Sequence, residues 1–149
     1  MIFDAARAIA AANELPAVKR DPRPGATPFP AAAFRMSPFW DPEVDWLALQ
    51  EELHARSRGF AVAYKLQLVD LAKLKTAQPH VKLQTVLDYI AITRDAHYAG
   101  TVLRYKGHDW IADGNHRLTA RHLGGVTAAL VKYFDLDAHS CIAPQTWSL

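Results

Sequence analysis

Residues 113–117 bring together side chains that could bind and act on a phosphate group. They follow the apolar residues 110–112, and the periodic apolar run after them stops at the glycine pair 124–125. Such a pattern predicts a short strand, a tight turn and a helix that begins near Gly114. The free N–H groups and the positive dipole of a helix start attract anions, and a glycine lets the backbone approach a ligand closely. The candidate phosphate-binding residues are therefore Gly114, Asn115, His116 and Arg117.

Two residues of this segment, Asp113 and His116, are the candidate catalytic groups. The simplest role for Asp113 is to cap the helix, because its side chain can accept hydrogen bonds from first-turn N–H groups. Its alternative roles are to bind a metal ion beside a nucleotide or to act as a base. His116 has an ordinary pKa of about 6.5 and could hydrogen-bond a phosphate or shuttle a proton, and its alternative role is structural.

Arg117 is the residue most expected to contact phosphate, because a planar guanidinium can bind two oxygens at once. The alternative for Arg117 is an internal salt bridge to Asp109 or Asp113. His108, which precedes this acidic pair, could join Asp109, Asp113 and His116 around a transition metal. Their spacing does not give the arrangement of a helical zinc motif, so no metal site is predicted.

The rest of this helix is predicted to be amphipathic. We expect Leu118, Ala120 and Leu123 to face the core, whereas Thr119 and Arg121 should point outward.

The first part of the chain predicts two helices joined by an extended arm. Residues 3–13 are rich in helix formers, whereas residues 15–42 hold seven of the nine prolines and cannot form a regular helix. A broad apolar stripe indicates a helix over residues 42–58. The buried face of the first helix is predicted from its spacing to consist of Phe3, Ala6, Ile9 and Ala10.

The second part of the chain predicts alternating strands and helices. Residues 60–68 alternate and favour a strand, and residues 81–93 have the period of an amphipathic helix. A glycine between two β-rich runs indicates a hairpin over residues 101–112. The apolar run 126–134 is typical of a buried strand. The whole pattern predicts an α+β fold with a small mixed β-sheet and packed helices.

Residues 113–124 and the strand after them resemble the signature of the ParB/sulfiredoxin superfamily. The order of elements across residues 60–135 also matches that family, so we interpret this range as a ParB/sulfiredoxin-like domain. Residues 1–59 then form an N-terminal helix, a proline-rich arm and a second helix, and residues 136–149 form a tail. The resemblance implies a bound nucleotide, ATP or CTP with Mg²⁺. It also places Gln78, with Lys73 or Lys75, on a loop near the nucleotide, where the alternative is a plain surface loop.

Departures from the family limit the chemistry that the resemblance implies. Asn115 stands where sulfiredoxins carry a reactive cysteine, and the single cysteine, Cys141, lies far away in the tail. Reduction of a sulfinic acid is not expected, because that chemistry needs a thiolate at the site. Sequence-specific DNA binding of the chromosome-partitioning type is not expected either, because the residues after 135 are too few for a helix-turn-helix domain. Within the superfamily, residues 113–117 are most similar to the motif of a branch that resembles free-serine kinases.

The composition is that of an ordinary globular protein. The chain has 149 residues, of which 50% are hydrophobic and 21% charged, and a net charge of +2. This small charge does not favour a protein built mainly to coat nucleic acid. The lack of a long apolar run or a secretory pattern predicts a cytoplasmic protein without membrane association.

Three hypotheses about function stay open at this point. The first is a nucleotide-binding protein that hydrolyses the nucleotide or transfers its phosphate. The second is a DNA-associated or regulatory module related to ParB-like nucleases or partition proteins. The third is a scaffold that kept the fold and lost the ligand. The aromatic residues of the proline-rich arm are expected to pack either on the domain or on a second copy, and the second alternative would be a homodimer.

Overall fold

A computed structural model describes residues 2–18, 33–41, 64–76, 78–92 and 99–138. The helix expected over residues 42–58, most of the proline-rich arm and the tail from residue 139 lie outside these ranges. Within them, no helix is both long enough and apolar enough to cross a bilayer.

A five-stranded mixed sheet forms the centre of the molecule. Its strands are β2 (Lys65–Asp70), β3 (Leu74–Thr76), β5 (Thr101–Tyr105), β6 (His108–Asp113) and β7 (Ala128–Asp135), in the order β2-β7-β5-β6-β3. The pairs β2–β7 and β5–β6 are antiparallel, whereas β5–β7 and β3–β6 are parallel. The expected hairpin of β5 and β6 is confirmed, with its bend at residues 106–107.

Three helices lie in the described ranges: α1 (Ala5–Glu14), α2 (Leu83–Ile92) and α3 (Asn115–Leu123). A small second sheet pairs β1 (Phe34–Met36) with β4 (His80–Lys82) in antiparallel fashion. A single 3₁₀ turn over Leu71–Lys73 connects β2 to β3. The predicted α+β fold with a mixed sheet is therefore confirmed.

Two apolar clusters hold these elements together. One fills the space between the sheet and α3, where Leu118 meets strand residues such as Val102 and Val131. The other joins the three helices and contains Ala8, Ala12, Val81, Val86, Ile90 and Ala120. Helix α3 contributes to both clusters, so it lies between the sheet and the other two helices.

This central position of α3 corrects one prediction and confirms another. Leu118 and Ala120 are buried as expected, and Leu123 packs against the helical cluster. Thr119 and Arg121, however, do not point outward, since both are at least nine-tenths buried. A helix that packs on two sides has no wide solvent-facing stripe, so the amphipathic interpretation was wrong for these two residues.

The predicted buried face of α1 was also wrong in part. The fully buried residues are Ala8 and Ala12, whereas Ile9 is 47% exposed. Alanines allow close approach of α1 to α2 and α3, and this small-residue face determines the docking of the helix. Phe3 does pack against the helical cluster, next to Gly124.

Candidate functional site

The site predicted from the sequence lies where β6 passes into α3. Gly114 is the residue before the helix and has a left-handed backbone, with φ of 94°. A Cβ atom at this position would lie 2.5 Å from the carbonyl oxygen of Ala99, a distance that real side chains do not reach. Gly100 faces the same junction, because a Cβ there would lie 2.3 Å from the carbonyl oxygen of Asp113. Two glycines therefore allow the backbones to touch and the chain to turn sharply into α3.

The cap predicted for α3 was wrong. Asp113 is an exposed residue that ends β6, where it pairs with Thr101, and the capping position belongs to Gly114, which has no side chain to donate or accept. Strand pairing extends β6 through Asp113, so the turn falls one residue later than the composition suggests. Asp113 therefore lies at the end of β6, directly before Gly114. Its two alternative roles, binding a metal ion or acting as a base, stay predictions.

Asn115 is held inside the protein by three hydrogen bonds. Its Oδ1 accepts from the hydroxyl of Ser37 at 2.9 Å and from that of Thr119 at 3.5 Å, and its Nδ2 donates to the carbonyl of Gln78 at 3.2 Å. The side chain is 6% exposed. Asn115 therefore joins the residue after β1, the loop before β4 and α3.

His116 also makes an internal hydrogen bond. Its Nε2 accepts the backbone N–H of Lys82 at 3.0 Å, which ties the first turn of α3 to the end of β4. Because Nε2 is an acceptor, the ring is neutral and its proton lies on Nδ1. Burial lowers the pKa of His116 below its usual range, and the nearby His80 lowers it further.

Arg117 lies against α2. Its guanidinium carbon is 5.0 Å from the ring centroid of Tyr89, within the range of a cation–π contact. Asp109, one of the acids considered as its partner, instead contacts Arg104 and Tyr133. The half-buried Arg117 thus has a fixed stem close to the helix start.

The structure brings Gln78 to the same corner. Its carbonyl bonds Asn115, its backbone N–H donates to the hydroxyl of Thr76 at 3.0 Å, and the residue is exposed. The first turn of α3 flanks this loop through the bond to Asn115. The sequence-based interpretation missed Ser37 and Lys82, because neither belongs to a local pattern and both reach the site only through tertiary packing.

The expectation of no protein-held metal site concerned His108, Asp109, Asp113 and His116. Across the described ranges, no cluster of three or more His, Cys, Asp or Glu residues could hold a metal ion.

No family model matches the chain, and neither a curated protein nor a solved structure matches it.

Proposed function

We propose that the start of α3 binds the phosphate group of a nucleotide. The observation that carries this proposal is the first turn of the helix, whose N-cap residue, Gly114, makes no side-chain cap hydrogen bond. The N–H groups at the start of a nine-residue helix attract an anion.

His116 contributes to this site as a neutral hydrogen-bond donor. Its Nε2 is occupied by the N–H of Lys82, so the proton on Nδ1 is the group that can contact a phosphate oxygen. This geometry supports binding rather than proton abstraction, because the lone pair that a general base needs is already in use.

Arg117 and Gln78 complete the proposed phosphate contacts. The side chain of Arg117 supplies positive charge from the first turn, and the stacking on Tyr89 restricts its motion. Gln78 lies on the facing loop and can offer its exposed amide.

The nucleotide of the proposal is ATP or CTP with Mg²⁺. Asp113 is the exposed carboxylate nearest in sequence to the uncapped turn, and oxygen ligands of this kind suit Mg²⁺. The ion would offset the phosphate charge, and the reaction would be hydrolysis or phosphoryl transfer. DNA association and a homodimer remain predictions that the same experiments can separate.

An amide-shift titration by NMR tests the proposal directly. ATP and CTP with Mg²⁺ should move the backbone signals of Asn115, His116 and Arg117, and Arg117→Ala should weaken this response about tenfold, because a hydrogen bond to a charged group is lost. Arg7→Ala is the matched control, since this exposed arginine of α1 lies near Gly125, at the other end of α3.

The same titration can contradict the proposal. If neither nucleotide nor inorganic phosphate moves these three signals, the α3 start is not a phosphate site. If duplex DNA moves them and nucleotides do not, the DNA-associated hypothesis takes its place, and that response should fall steeply with salt.

A further inference from the structure

A cleft of about 520 Å³ lies at the opposite end of β6 from Gly114. Three segments form it: residues 38–41 after β1, residues 72–75 around the start of β3, and the β5–β6 hairpin. Small-molecule sites typically measure roughly 300–1,000 Å³, so the cleft has the size of a ligand pocket. No residue of the α3 start lines it, which makes it a separate candidate site.

The carboxylates in the cleft wall are already engaged with the protein. Asp41 accepts from the Nζ of Lys75 at 2.7 Å. Asp109 accepts from the guanidinium of Arg104 at 3.3 Å and from the hydroxyl of Tyr133 at 2.9 Å. Burial and this bond to Asp109 raise the pKa of Tyr133, so its hydroxyl keeps its proton and remains a donor. Little negative charge is therefore left to attract a cation.

Lys73 supplies a positive charge that is not paired with a carboxylate of the cleft wall. It ends the 3₁₀ turn, lines the cleft and is exposed. Among the residues that the structure describes, no carboxylate lies within ion-pair distance of its ammonium group. The unbalanced charge of the cleft is thus positive, and a ligand with an acidic group would be attracted to it.

An aromatic side chain provides the second kind of contact. Trp40 lines the cleft and is only half-buried, while its backbone is fixed by a bridge to Thr76. Phe39 beside it is 5% exposed and belongs to the core, so it anchors this wall. An indole that lines the same cleft as a lysine suits a ligand with a flat apolar group.

We propose that this cleft binds a small organic anion that carries an aromatic ring, with the acidic group at Lys73 and the ring against Trp40. The acid can be a carboxylate or a phosphate monoester, because an ammonium group contacts either as a point charge. The site is independent of the proposed phosphate site at α3.

Amide-shift titrations with four matched probes test this inference: benzoate, phenyl phosphate, benzyl alcohol and benzylamine. The two anions should move the signals of Lys73, Gly107 and His108, and the alcohol and the amine should not do so at the same concentration. The relative response to benzoate and phenyl phosphate identifies which acid the cleft prefers.

Two lysine variants separate the cleft from the α3 start. Lys73→Gln should weaken anion binding about fivefold, the effect of losing one exposed charge contact. Lys82→Gln removes the same charge beside His116 and should leave binding in the cleft unchanged. Equal responses to anion and alcohol, shifts confined to residues 115–118, or equal effects of the two variants would overturn the inference.

Discussion

The starts of α1 and α3 differ in how their first-turn N–H groups are satisfied. In α1, the carboxylate of Asp4 accepts the N–H of Arg7 at 3.0 Å and closes the turn from within the chain. In α3, the corresponding position is Gly114, and no side chain caps the turn. A helix that is closed by its own acid repels an anion, whereas an uncapped one attracts it. Of these two helix starts, that of α1 has a side-chain cap and that of α3 does not.

The largest effect is expected for Gly114→Ala. The substitution would place a Cβ against the carbonyl of Ala99 in a left-handed conformation, and strain and overlap together should cost about 3 kcal/mol of unfolding free energy. Urea denaturation measures this loss. Gly107→Ala is the matched control, because Gly107 also has positive φ, 75°, but a Cβ there meets nothing within 4 Å. It should cost about 1 kcal/mol, and equal losses would show that the close contact at Gly114 is unimportant.

A smaller loss is expected for Asn115→Ala. It would leave the hydroxyl of Ser37 and the carbonyl of Gln78 without their partner, at a cost of about 2 kcal/mol. Chemical denaturation provides the value. Asn13→Ala, which removes an exposed amide from α1, should change stability by less than about 0.5 kcal/mol. A similar small change at Asn115 would mean that its network does not support the α3 start.

The two acids that precede these helices should respond differently to replacement. Asp4→Ala removes a true cap and should destabilise the protein by about 1 kcal/mol. Asp113→Ala should have an effect below about 0.5 kcal/mol, since this exposed side chain does not cap α3. Thermal unfolding of both variants at the same pH measures the two losses of stability. A larger loss for Asp113→Ala than for Asp4→Ala would mean that Asp113 does cap α3.

The smallest effect concerns the dependence of stability on pH. Burial lowers the pKa of His116 in the folded protein, so below its ordinary value of about 6.5 the unfolded chain binds more protons. Stability should therefore fall as the pH drops from 7.5 to 5. His116→Gln should reduce this fall without abolishing it, because burial also lowers the pKa of His122. Denaturation midpoints across that range test the expectation, and an unchanged slope would contradict it.

The sequence was informative wherever a pattern was local. Glycines at 124–125 ended α3 as expected, and the β5–β6 hairpin formed around Gly107. It was less informative where tertiary packing determines the secondary structure or the burial of a residue. The short strands β1, β3 and β4 have three residues each and no periodicity to detect. Arg121 is buried because α3 is covered on two sides. The spacing of apolar residues along the helix cannot predict this second contact.

For the candidate site, too, the local features could be predicted and the long-range contacts could not. Residues 114–117 lie at one helix start, as their sequence indicated, and Gln78 joins them. The roles of the side chains could not be predicted, because the partners of Asn115 and His116 come from Ser37 and Lys82, which are distant in sequence. Asp113 lost its capping role because strand pairing carried β6 one residue further.

The hydrogen bond between Ser37 and Asn115 joins residues that lie 78 positions apart, and α1 packs on α3 from nearly the other end of the described chain. During synthesis on the ribosome, the first helix therefore emerges long before the surface that buries it. Contacts of such long range slow folding, because a large loop must close before they form. The junction at Gly114 can take its final shape only after α3 has been synthesised, and until then the part of α1 that packs on α3 stays uncovered.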